Sequence, residues 1–67
     1  MTIWLNGVEA GLSAGTTLAE AVAATGTADN RGIAAAVDGE VVPRDQWQGV
    51  ALADGQRVEV VQAVQGG

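Results

Sequence analysis

The 67-residue sequence predicts an α+β domain, a mixed sheet of four to five strands with one helix packed across one face. Three features predict it. Short runs of β-prone residues are interrupted by Asn6-Gly7, Asp38-Gly39 and Asp54-Gly55, dipeptides that readily adopt the positive φ angles of tight turns. A single alanine-rich run, 18–24, has apolar residues at helical spacing. Hairpins combined with one crossing helix build an α+β domain rather than a parallel α/β one.

The elements follow in order. Met1 to Leu5 and Val8 to Leu12 flank Asn6-Gly7 and read as the first hairpin, with Ile3 and Leu5 on one face and Trp4 on the other. Thr17 followed by Glu20 three residues later fits a capping box, in which each side chain satisfies a free N–H at a helix start. Leu18, Ala21, Val22 and Thr25 then share a helical face suited to packing on a sheet, and Gly26 is the expected stop. A loop is expected over 27–32. Ile33, Ala35 and Val37 alternate with Ala34 and Ala36 before Asp38-Gly39, and Val41-Val42 return until Pro43, which cannot donate to a ladder. Val50 to Leu52 reads as a further short strand, and Arg57 to Val64 as the last and most β-prone one. A hairpin, a helix crossing one face and a final strand returning to the middle of the sheet make the β-grasp arrangement. The expected organisation is one domain over 1–67, with 65–67 as a flexible tail.

Composition narrows the function. A domain of this size buries only about 60% of the surface its unfolded chain exposes, which leaves little apolar material to wall an active-site cleft. The chain contains no Cys, His, Tyr or Lys, so the usual thiol nucleophile, Schiff-base amine and imidazole base are all missing. The expectation is that this is not an enzyme and uses no cofactor of its own. Asp38, Glu40 and Asp45 offer oxygen atoms to a cation, but turn chemistry accounts for the first and solvation for the others, and no metal is expected. Eight acidic residues against three arginines give a net charge of −5, a sign that repels phosphate backbones and suits a basic protein surface. No nucleic-acid partner is expected. Nor is a membrane partner, because no apolar run approaches the ~20 residues that span a bilayer. The start lacks the charged and apolar regions of a signal peptide, so a cytoplasmic location is expected.

The chemically suggestive feature is the terminal Gly66-Gly67, directly after the last strand. Glycine has no side chain, so such a tail can thread a narrow tunnel and adopt backbone angles closed to other residues. Its carboxylate is unhindered. A carboxylate becomes an acyl donor once ATP converts it to an acyl-adenylate, which a sulfur or nitrogen nucleophile can then attack.

Together with Ile3-Trp4-Leu5-Asn6-Gly7, the segment Val42-Pro43-Arg44-Asp45-Gln46-Trp47 and the Asp54-Gly55 turn before Val58-Glu59-Val60-Val61, this tail resembles the ThiS family, the ubiquitin-like sulfur carriers of thiamine biosynthesis. The resemblance covers the whole chain, and the Val-Pro-Arg-x-x-Trp segment is its most specific part. It implies that an ATP-dependent, E1-like activating enzyme adenylates Gly67. A sulfur donor system fed by a cysteine desulfurase would then make the thiocarboxylate, and thiazole synthase would receive the sulfur. Gly66 would be the thin neck recognised with the tail. Gln65 stands where the family often has a small residue such as Ala. Two other readings share the terminal chemistry: a molybdopterin-synthase small-subunit-type carrier and a ubiquitin-like modifier joined to lysines. Chain length and the Val-Pro-Arg-x-x-Trp segment favour the first family over the molybdopterin type.

Alternation along the last strand assigns Val58 and Val60 to the face under the helix and Glu59, Val61 and Ala63 to the opposite, open face. Those three are the expected docking surface for the activating enzyme, extended by Ala34 and Ala36 if their strand is adjacent. Trp47 is expected to anchor the core. Trp4 is open to either surface contact or partial burial.

Overall fold

The computed structural model describes residues 1–26 and 32–62. The first hairpin pairs β1 (Thr2–Leu5) with β2 (Val8–Gly11), Leu5 opposite Val8, and Asn6 and Gly7 turn the chain at φ 50° and 81°. Both angles lie in the left-handed region that a two-residue type I′ turn demands. A second hairpin of the same form joins β3 (Ile33–Val37) to β4 (Glu40–Val42), with Asp38 and Gly39 at φ 50° and 83°.

The helix α1 (Leu18–Ala24) begins on the capping box that the sequence predicts. The Glu20 N–H donates to Thr17 Oγ1 at 3.2 Å, and the Thr17 N–H donates to Glu20 Oε1 at 3.1 Å. Leu18, Ala21 and Val22 face inward, and Gly26, at φ 79°, ends the run by donating to the Ala23 carbonyl.

The last strand, β5 (Arg57–Gln62), lies in the middle of a five-stranded sheet ordered β2-β1-β5-β3-β4. It runs parallel to β1 and antiparallel to β3, which makes the sheet mixed. The predicted end of this strand at Val64 lies outside the described residues.

One face of the sheet meets the helix. Ile3, Ala35 and Val58 from three strands pack with Leu18, Ala21 and Val22 of α1 and with Trp47 and Leu52 from the long connection before β5. Each fully buried aliphatic side chain contributes roughly 1.5–3 kcal/mol, so Ile3, Leu18, Val22 and Val58 carry much of what a core this small can supply.

The connection differs from the sequence-based expectation. Val50 to Leu52 do not form a strand; Ala51 makes one isolated bridge to Thr17. The physical reason is that this segment is held by the approach to α1: the Leu18 N–H donates to the Val50 carbonyl at 2.8 Å and the Leu52 N–H to the Thr16 carbonyl at 2.9 Å. One of the free N–H groups at the helix start is satisfied this way. Just before it, Arg44–Gly49 form a 3₁₀ helix that the sequence reading did not anticipate. It drives Trp47 into the core, where the indole is 4% exposed and its Nε1–H donates to the Val42 carbonyl at 2.8 Å. The Arg44 guanidinium lies 5.4 Å from the centre of the ring. Trp47 is thus the core anchor predicted for it. No helix of the described residues is long and apolar enough to cross a membrane.

Candidate functional site

β5 carries the tail, so the site is built outward from it. The predicted alternation holds over the described part: Val58 is fully buried and Val60 half-buried, whereas Glu59 and Val61 are exposed on the face away from α1. Ala34 pairs with Val61 and Ala36 with Glu59, so the strand bearing the two alanines is the adjacent one. Ala36 also pairs with Val41. Together Ala34, Ala36, Gly39, Val41, Glu59 and Val61 line a shallow groove on the open face. Val41 and Val61 are 70% and 57% exposed, so the groove presents apolar side chains to solvent.

Across β5 the same face continues onto β1, where Trp4 sits opposite both Glu9 and Arg57. Trp4 is 41% exposed, and it lines a second hollow with Gly7, Arg57 and Glu59. Of the predicted docking residues, the structure therefore places Glu59 and Val61 together on the open face. Ala63, Gly66 and Gly67 lie outside the described residues. The sequence reading omitted Val41. The pairing of Ala36 with Val41 would have exposed it, had the turn been used to set the hairpin's register.

The end of the sheet from which the tail continues is also defined. β5 and β1 run the same way, Gln62 lies opposite Ile33 at the start of β3, and the Asn6-Gly7 turn reaches the tail-proximal half of β5. The acidic turn residues are used structurally. Asp38 Oδ1 accepts from the Arg57 N–H at 2.9 Å, and Asp54 Oδ1 accepts from the Thr2 N–H at 2.7 Å. Among the described residues no three acidic side chains converge as metal ligands would.

What this arrangement can do follows from what the chain contains. Without Cys, His or Lys anywhere in the sequence, its own side chains offer none of the usual strong nucleophiles.

Comparison with known proteins adds an independent line. The ThiS family model matches residues 3–67. Among solved structures, the crystal structure of the thiamine biosynthesis protein (ThiS) from Geobacter metallireducens superposes with a TM-score of 0.82 at 23% sequence identity, covering 100% of each chain. That likeness establishes the fold. No curated protein sequence matches the chain.

Proposed function

Because the chain belongs to the ThiS family, a family of small sulfur carriers, we propose that it carries sulfur for thiazole formation in thiamine biosynthesis on the carboxylate of Gly67. The carrying observation is that the family match extends over 3–67 and so takes in the terminal Gly66-Gly67, which follow the central strand of the sheet. In this reading a Gly67 carboxylate oxygen attacks the α-phosphorus of ATP in an activating enzyme, releasing pyrophosphate and leaving the acyl-adenylate. A sulfur nucleophile from a donor system fed by a cysteine desulfurase then attacks the carbonyl carbon. AMP leaves with the electron pair of the broken C–O bond, giving an acyl disulfide when the nucleophile is the donor's persulfide. A second donor thiol then attacks the donor-side sulfur, the donor is left as a disulfide, and the S–S electron pair leaves with the thiocarboxylate for thiazole synthase. The chain itself is substrate and carrier in these steps, not catalyst.

The protein's contribution is presentation. Gly66 and Gly67 lack the side chains that would block a narrow channel. The open face supplies the grip: Val61 and Glu59, with Ala34, Ala36 and Val41 alongside, form the surface on which the activating enzyme docks, and Ala63 extends it toward the tail. Two features support that choice of face. Its exposed valines gain nothing in the isolated chain, and it lies on the strand that leads into the reactive terminus. The net charge of −5 favours a basic docking partner and mainly raises the association rate. The test is to incubate the chain with ATP, the activating enzyme and a sulfur source, and to weigh the product. One oxygen-to-sulfur exchange at Gly67 supports the proposal; formation of higher-mass conjugates with lysine-containing proteins in its place would redirect it to a protein modifier.

A further inference from the structure

We infer that Asn6 is a positioning residue for the reactive tail: its side chain replaces a missing rung of the sheet and holds the tail-proximal half of β5 in line. The ladder between β1 and β5 shows how. The Trp4 N–H donates to the Gln56 carbonyl and the Asn6 N–H to the Val58 carbonyl, both at 2.9 Å, two residues apart on each strand as a parallel ladder requires. The next rung of that pattern would run from the Val60 N–H to the main-chain carbonyl of residue 6. β1 has already ended at Leu5, and residue 6 has turned away at φ 50°. In place of the carbonyl, Asn6 Oδ1 accepts the Val60 N–H at 2.8 Å.

This contact matters because β5 is unevenly supported. On one side β3 pairs with it through Gln62, but β1 pairs with it only at Arg57 and Val58. Beyond Val58, the Asn6 side chain supplies the hydrogen bond found on the β1 side among the described residues. Position 6 therefore has two requirements. The turn needs a residue that tolerates positive φ, which Gly, Asn and Asp do, and β5 needs a side-chain acceptor of this length, which Gly lacks. Glycine at position 6 would keep the hairpin and drop the rung.

The inference rests on the sulfur-carrier reading, and its consequences separate from those of docking. Val61 and Glu59 stay in register through β3, so loss of the rung leaves the docking face in place. What changes is the firmness with which β5 is held on its β1 side beyond Val58, the stretch that precedes the tail, and looser positioning of a reacting group acts on turnover.

The experiment compares Asn6→Gly and Asn6→Asp with the wild-type chain by amide hydrogen exchange and by steady-state adenylation kinetics with the activating enzyme. For Asn6→Gly, exchange at Val60 should quicken about two- to tenfold, the net worth of one hydrogen bond, while Ile3 and Val58 stay protected. Its kcat should fall on the order of tenfold with KM nearly unchanged. Asn6→Asp, whose carboxylate oxygen accepts the same bond, should restore both. Unchanged exchange at Val60 in Asn6→Gly, or faster exchange with unaltered kcat, overturns the inference. So does an Asn6→Asp protein that behaves like Asn6→Gly. Failure of the sulfur-carrier reading would show differently, as a wild-type chain that is not adenylated at all, whereas failure of this inference appears between the variants.

Discussion

Truncating Trp47 to alanine should unfold the protein before it affects any partner. The indole is almost entirely buried among Leu18, Val22, Leu52 and their neighbours, its Nε1–H is tied to the Val42 carbonyl at 2.8 Å, and Arg44 lies over the ring. Burying an aromatic of this kind removes about 150–250 Å² from water, which at about 25 cal/mol per Å² corresponds to roughly 4–6 kcal/mol. Measured Phe or Trp to Ala truncations cost ~3–5 kcal/mol. A single core in a chain this short rarely supplies more than about 3–5 kcal/mol in total, so Trp47→Ala should be largely unfolded at 25 °C. Trp47→Phe separates the two contributions. It keeps most of the ring but loses the hydrogen bond, a net loss of about 1 kcal/mol, which lowers Tm by about 4–8 °C in a domain of this size. Far-UV circular dichroism during thermal and urea melts reads both. A Trp47→Ala protein that melts with the wild type refutes the argument, and one that also resists activation would place Trp47 in the partner interface.

Val61→Asp should leave the circular dichroism spectrum and Tm nearly unchanged, because the side chain points away from the core. It should raise KM for adenylation at least about tenfold, the equivalent of one valine's burial at an interface. If the variant unfolds, the assignment of faces on β5 is wrong, and if it is activated normally, docking lies elsewhere. Thr17→Ala removes the acceptor that caps α1 and should cost about 1 kcal/mol, read as a fall in Tm with the kinetics of adenylation intact. Loss of the thermal shift would mean that the connection from Val50 to Leu52, and not the cap, holds the helix start.

Local chemistry made most of the fold legible. Asn6-Gly7 and Asp38-Gly39 specified hairpins because their backbone angles are closed to most residues, and Thr17 with Glu20 marked the helix start by a reciprocal pair of hydrogen bonds. Alternation alone assigned Val58 to the core and Val61 to the open face. The connection from 43 to 56 was less legible. Three residues of strand-like composition at Val50–Leu52 were read as a strand, but their carbonyl and N–H groups are taken by the helix approach, a partnership with no sequence pattern. A six-residue 3₁₀ helix likewise has no amphipathic period long enough to detect. Side-chain acceptors were the other gap. Asn6, Asp38 and Asp54 were read as turn formers, yet their oxygens accept N–H groups from residues 54, 19 and 52 positions away. Propensity describes the turn and is silent on what the turn's side chain reaches. At the site, the outward residues of β5 were legible from alternation, whereas Val41 needed the register of a neighbouring strand.

The central claim is that the reactive group is the Gly67 carboxylate, and intact-protein mass spectrometry tests it most directly. The full chain and a chain ending at Gly66 are each incubated with ATP, the activating enzyme and a sulfur source, after circular dichroism has shown that both are folded. The full chain should gain the mass of one oxygen-to-sulfur exchange and the truncated chain none. Equal sulfur loading of the two, or no loading of the full chain, would contradict the account.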